Sequence, residues 1–224
     1  MKTDLIRRVP LFATLSEEEF KRIEHIFQFK NYPKNQIIFL EEETGKYMYI
    51  VLAGKVKVTK ATATGKETIL AIHQEGDFFG EMALLDGKTS PATVSAMEDC
   101  RIATIFHADF QRLLMANEKV ARQIIQVLCG RLRQVWSQVQ ELSHSSADDR
   151  IRAGILRLSR KHGVHDARGI IINLKITHQE LAELVGTSRE TVTRNLARLQ
   201  RRGVILLEHR RIILLKPEEL LPAN

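Results

Sequence analysis

The sequence predicts an α+β protein of two modest domains: an all-β N-terminal domain, a long helix that pairs with a copy of itself, and a C-terminal helix-turn-helix ending in a strand pair. Three observations carry this expectation. Between residues 32 and 105, Gly45, Gly54, Gly65, Gly76 and Gly80 break short runs of β-branched and aromatic residues. From Ala121 the apolar positions change to alternating spacings of four and three. Near the C-terminus, ITHQELAELVGTSRETVTRNLARLQRRGVI places two amphipathic helices around one glycine.

The 224 residues exceed one typical domain and fall short of two large ones. With 44% hydrophobic and 27% charged residues, the chain has the composition of a globular protein, not a disordered or fibrous one. No apolar run approaches the roughly 20 residues of a membrane span. The start, MKTDLIRRVPLFATL, has no continuous apolar segment and no small-residue cleavage site, so the expectation is a cytoplasmic protein with no membrane partner. Cys100 and Cys129 lack C-x-x-C spacing and are expected to be buried, reduced thiols. From Ser143 onward there are 15 Lys and Arg against 9 Asp and Glu, a surplus of 6 out of the whole chain's +7. A basic C-terminal third points to a polyanionic partner.

In chain order, QIIFL (36–40), YMYIVL (47–52), KVKVTK (55–60), ETILAI (67–72) and RIATI (101–105) read as strands of a sandwich or barrel. GEMALLDGKTSPATV (80–94) reads as a loop between them. The period changes from Phe110. Ala121, Ile125, Leu128, Leu132, Val135, Val139 and Leu142 form an a/d seam, and polar flanks such as Arg131, Arg133 and Gln138 favour a homodimer over packing on the chain's own β domain. SHSSADD (143–149) interrupts the seam as a hinge, and Ser146 with Asp149 has the spacing of a capping box that opens a helix over 148–161. A loop, HGVHDARG, an apolar run, IIINL, two helices, and the strands VILLE and RIILL joined by His209 and Arg210 complete the chain. The predicted domains are therefore 1–109, the dimerisation helix 110–142, the hinge 143–149, and 150–224.

Within 176–205, Thr177 and Glu180 form a capping box, Leu181, Leu184 and Val185 make the apolar stripe of the first helix, and Gly186 turns the chain. Ser188 caps a second helix held by Val192, Leu196 and Leu199, which presents Arg189, Glu190, Thr193 and Arg194 on its free side. Arginine can bond guanine O6 and N7, and glutamate can accept from the cytosine amino group, so these residues suit reading double-stranded DNA in the major groove. Thr177, His178, Ser188 and Thr191 stand near helix N-termini, where contacts to the DNA backbone fix register. Arg198, Arg201 and Arg202 fit either a solvated face or further backbone contacts.

A glycine-punctuated β domain, a seam helix and a helix-turn-helix containing GTSRETVTR resemble the cyclic AMP receptor protein and fumarate–nitrate regulator (Crp/Fnr) family of transcription regulators. The resemblance covers nearly the whole chain. It implies that 1–109 is a cyclic-nucleotide-binding-type β-roll, a double-stranded β-helix serving as effector domain, and that 150–224 is a winged helix-turn-helix with His209 and Arg210 in the wing. The stretch S-R-E-T-V-x-R, Ser188 to Arg194, is similar to the form that reads TGTGA half-sites, which implies that Arg189, Glu190 and Arg194 read bases in a TGTGA-N6-TCACA palindrome. RNA polymerase is the further partner it implies.

The same resemblance gives residues 80–94 the meaning of a phosphate cassette. Gly80, Glu81, Met82 and Ala83 match its start, with Lys88, Thr89 and Ser90 toward its end. Where cyclic AMP binders have arginine followed by a serine or threonine, this chain has Ser90 and Pro91, which supply neither the fork of charge nor the backbone N–H that an anion needs. The dimer-helix positions that face the effector hold Val135 and Trp136 in place of a hydroxyl pair. Both departures argue for an effector other than cyclic AMP. A cyclic AMP responder using Lys88, Thr89 or Ser90, a haem-based sensor with ligands among His73, Met82, Cys100, His107 and Cys129, and an effector-independent regulator stay open. His162 and His165 read as surface residues. An enzyme would need clustered ligands or a nucleophile motif, and the β segment before the cassette offers only His73.

Overall fold

The computed structural model describes residues 2–62 and 65–221, and its contacts divide the chain into two compact units between Arg133 and Gln134. The first unit opens with α1 (Lys2–Arg7) and α2 (Glu17–Ile23), the latter begun by a capping box between Ser16 and Glu19. The strands are β1 (Phe27–Tyr32), β2 (Ile37–Phe39), β3 (Tyr47–Ala53), β4 (Lys55–Ala61), β5 (Glu67–Gln74), β6 (Phe78–Phe79), β7 (Thr93–Ala96) and β8 (Cys100–Phe106), with α3 (Glu81–Asp86) between β6 and β7. They make two antiparallel sheets, ordered β1-β8-β3-β6 and β2-β7-β4-β5.

The side-chain period of two explains why YMYIVL is apolar without a break. Tyr49 and Val51 of β3 enter a core with Val56, Val94 and Ala96 of the other sheet. Met48, Ile50 and Leu52 point the opposite way, into a second core closed by Phe12, Phe20, Phe110, Val120 and Ile124. A strand buried on both faces has no polar side to show.

All five expected strands form. The β domain starts earlier than residue 32, because Phe27 to Tyr32 pairs along β8. The cassette is not wholly a loop: Glu81 to Asp86 form a helix between Gly80 (φ 80°) and Gly87 (φ 70°), whose left-handed backbones start and stop it while Ala83 and Leu84 are buried. The expected helix over 110–142 is two helices. α4 (His107–Ala116) ends at Asn117, which is extended and whose side-chain oxygen accepts from the Val120 N–H at 3.2 Å, opening α5 (Glu118–His144).

The unit from Gln134 onward contains the rest of α5, α6 (Ala147–His162), β9 (Gly163–Asp166), β10 (Gly169–Ile172), α7 (His178–Val185), α8 (Arg189–Arg201), β11 (Ile205–Glu208) and β12 (Arg211–Leu214). Its sheet order is β11-β12-β10-β9. Between α5 and α6 only Ser145 and Ser146 are non-helical, so the break is two residues long and not seven. Ser143 stays helical, with its hydroxyl donating to the Val139 carbonyl, and Ser146 and Asp149 form the expected capping box. HGVHDARG is mostly a β-hairpin, and His162 is buried at the end of α6 whereas His165 is exposed. Gly154 lets α6 pass close to α7, since a Cβ there would lie 2.4 Å from Val185 Cγ1.

Candidate nucleic-acid interface and effector pocket

The helix-turn-helix is built by its own caps. Thr177 accepts from the Glu180 N–H while the Glu180 carboxylate accepts from the Thr177 N–H, and Gly186 takes a left-handed φ of 66° at the turn. Ser188 caps α8, whose Val192, Leu196 and Leu199 are buried, and this leaves Arg189, Glu190, Thr193 and Arg194 exposed. The Glu190 carboxyl is held below its ordinary range by its own backbone N–H first, then by Ser188 and the flanking Arg189 and Arg194. It is an ionised acceptor between two forked donors. The hydroxyls of Thr177, Ser188 and Thr191 are all engaged in caps, and His178 Nδ1 lies 2.9 Å from the Thr193 hydroxyl. Beside them β11 and β12 join through His209 and Arg210, both exposed and left-handed at φ 49° and 63°, as a two-residue hairpin turn requires. The wing and the two helices enclose a cleft of about 520 Å³ with His178, Arg189, His209 and Arg210 on its walls.

Two contacts fix this surface to α6. Arg150 donates to the carbonyls of Val185, Gly186 and Ser145, so one guanidinium ties the turn after α7 to the turn after α5. Asp148, in the first turn of α6, accepts from the amide of Asn195 and from Arg198 on α8. Arg198 is therefore committed to an internal pair. Asn195 is buried within the recognition helix, and Asp148 is held below the ordinary carboxyl value of 3.8 by Arg198 first and then by Asn195. Removing the acid strands a buried amide, so Asp148→Ala is expected to lower unfolding stability by about 1–3 kcal/mol, read from urea denaturation. Because the folded value is depressed, the acid's contribution is present above pH 3.8 and is lost as the pH falls through the folded value, so the variant's deficit should shrink in strongly acidic buffer.

In the first unit, the cassette residues divide. Gly80, Glu81, Met82, Ala83 and Ser90 line a cavity of about 80 Å³, together with Phe39, Phe79 and His73. Lys88 and Thr89 are exposed and do not line it. Ser90 is buried and locked by its backbone, donating to the Glu43 carbonyl and accepting from the Glu42 N–H, each at 2.8 Å. The cation in the cavity wall is Arg131 of α5, which the sequence places on the polar flank of the seam. Its guanidinium bonds the buried Glu81 carboxylate at 2.8 Å, donates to the Phe78 carbonyl, and lies over the Phe78 ring. Burial pushes the Glu81 carboxyl up, and Arg131 pulls it part of the way back. Tyr49 stacks on Phe79 at 5.0 Å, and His73 stacks on the same ring at 5.9 Å.

This cavity is small, but it shares Phe39, Gly80 and Ser90 with a neighbouring one of about 380 Å³ that Lys46, Tyr47 and Tyr49 also line, a volume in the roughly 300–1,000 Å³ range of usual ligand sites. Of the residues considered as haem ligands, His73 and Met82 line the cavity, with His73 stacked on Phe79, whereas Cys100 donates from its buried Sγ to two backbone carbonyls, and His107 and Cys129 lie outside the cavity and exposed. Cys129 thus corrects the expectation of two buried thiols. Among the described residues no three His, Cys, Asp or Glu side chains gather as a metal site. On the seam, Ile125, Leu132, Val135, Val139 and Leu142 are about half exposed or more, Leu128 is partly buried against the β domain's core, and Trp136 is 63% exposed. No described helix is long and apolar enough to cross a membrane.

A capped recognition helix beside a basic wing, carried with a β-roll of this topology, defines a DNA-binding transcription regulator, not an enzyme. The chain is 35% identical over 198 residues, 88% of each chain, to the Cyclic AMP receptor protein of Thermus thermophilus. It belongs to the Crp/Fnr family. Residues 29–117 match the family described as Cyclic nucleotide-binding domain, and residues 149–222 the Crp-like helix-turn-helix domain. The Global nitrogen regulator of Synechococcus elongatus is 28% identical, over 85% of this chain and 86% of its own. FixK2 from Bradyrhizobium japonicum superposes with a TM-score of 0.78 at 24% identity, over 87% of this chain and 96% of that one, a likeness of fold.

Proposed function

We propose that the protein regulates transcription as a homodimer that binds TGTGA-N6-TCACA-like palindromes, and that its β-roll answers an effector other than cyclic AMP. The observation that carries the DNA reading is the exposed, ionised triad of Arg189, Glu190 and Arg194 at the start of a rigidly capped α8. Thr177, His178, Ser188 and Thr191 are the residues that would fix register on the backbone. The half-exposed seam of α5 supports pairing of two copies, each supplying one recognition helix. Effector binding would bias α5 and the two-residue turn after it, and contact with RNA polymerase would follow from promoter placement.

Cyclic AMP is disfavoured on physical grounds. An anion at the cassette would meet Pro91, which lacks an N–H, and Ser90, whose backbone is already paired, while Lys88 lies outside the cavity. Arg131 is already paired with Glu81. The test is a fluorescence anisotropy titration of the palindrome against a scrambled duplex at fixed salt, with and without cyclic AMP. Sequence-selective binding is expected, with an affinity that the nucleotide leaves unchanged. Selective binding only in the presence of cyclic AMP would reverse the reading of the cassette.

A further inference from the structure

A second pocket, of about 460 Å³, opens in the unit from Gln134 onward, between the end of α5, α6 and the chain near Leu220. That volume falls in the roughly 300–1,000 Å³ range of ligand sites. Its α5 wall is Gln134, Ser137 and Glu141, three and four residues apart on the flank turned away from Val135, Val139 and Leu142, so pairing along the seam leaves it open. On α6, Arg157 is held by Glu141 at 3.0 Å and acts as a fixed strut, and Asp149 is occupied by the Ser146 cap. Arg152 and Arg160 make no salt bridge within 4 Å among the described residues, although the charge of Arg152 acts on Asp148 one turn earlier, and the Arg152 Nε is buried without a hydrogen-bond partner. They stand eight residues apart, about 12 Å along the helix axis, with Leu156 between them.

We propose that this pocket is a second ligand site, which takes an elongated organic dianion with one acidic group on Arg152, the other on Arg160, and an apolar middle on Leu156. Two guanidinium forks without a salt bridge, at the ends of a partly apolar trough, recognise two oxoanion groups at a set separation, and a single anion leaves one fork unsatisfied. Because the walls come from the helices on either side of the Ser145-Ser146 turn, the ligand ties α5 to α6 and so bears on the setting of α8, to which Asp148 and Arg150 already connect α6. This site is separate from the β-roll cassette and does not depend on how that cassette is read.

Isothermal titration calorimetry of the full-length protein with 1,4-phenylenediacetate and with phenylacetate tests it. The dianion is expected to bind at one site per chain, at least about tenfold more tightly than the monoanion. Arg152→Gln and Arg160→Gln should each weaken it about tenfold or more, and Gln134→Glu should weaken it by repulsion without touching either arginine. Arg131→Gln, which alters only the β-roll cavity, should leave it unchanged, and circular dichroism checks that each variant is folded. No binding of the dianion, equal binding of both anions, or loss of binding in Arg131→Gln but not in the α6 and α5 variants would overturn the proposal.

Discussion

Replacing Leu132 and Val139 together by glutamate is expected to convert the protein to monomers and to lower its affinity for the intact palindrome by about 10²- to 10⁴-fold, while leaving each chain folded. Val139 is 56% and Leu132 49% exposed in the single chain, so neither supports a core that the substitutions would hollow out. In a paired seam each a-position residue would meet its counterpart, and four carboxylates in a desolvated stripe cannot all be satisfied. Once dimerisation fails, the second half-site no longer binds as an intramolecular event, and the avidity factor of roughly 10²–10⁴ is forfeited. Sedimentation velocity and anisotropy on full and half palindromes measure the two effects separately. A monomer that keeps its half-site affinity but loses its advantage on the full site is the expected pattern. A dimer that persists would move the interface elsewhere.

What the sequence made legible was local. Capping boxes at Ser146 and Thr177, the left-handed Gly186 and the buried stripe of α8 involve residues no more than four positions from the next, and all appear as expected. What it hid was contact between distant segments. Nothing near residue 131 announces that its guanidinium turns from the seam flank to meet Glu81, fifty positions away; the only hint is that an acid among Met82, Ala83 and Leu84 would be buried and in need of a cation. Asp148 has the same history. It reads as a first-turn acid favourable to the helix dipole, yet its carboxylate is spent on Asn195 and Arg198, and the second of these had been open as a DNA contact. The early strand β1 escaped because FQFKNY mixes charged and amide residues with aromatics, and only its pairing with β8 defines it.

The recognition helix gives the sharpest test of function. Arg189→Ala and Arg194→Ala are each expected to weaken binding to the palindrome by about 2–6 kcal/mol, because each removes one bidentate contact worth about 1–3 kcal/mol from both half-sites. A lysine in place of either should recover little, since a single ammonium cannot span O6 and N7 of guanine. Glu190→Gln should act on selectivity: an amide both donates and accepts, so discrimination at the cytosine-containing pair falls more than overall affinity does. Arg198→Ala separates these effects from loss of charge alone. That arginine is bound to Asp148, so its removal should cost stability of the α6–α8 contact while leaving the ranking of palindrome variants intact. Anisotropy against single-base variants of the palindrome at several salt concentrations reads the binding effects, and urea denaturation reads the stability cost of Arg198→Ala. If Arg189→Ala and Arg194→Ala lowered affinity for scrambled and palindromic DNA equally and flattened the salt dependence, both arginines would be phosphate contacts, and sequence reading would have to be sought on another face of α8.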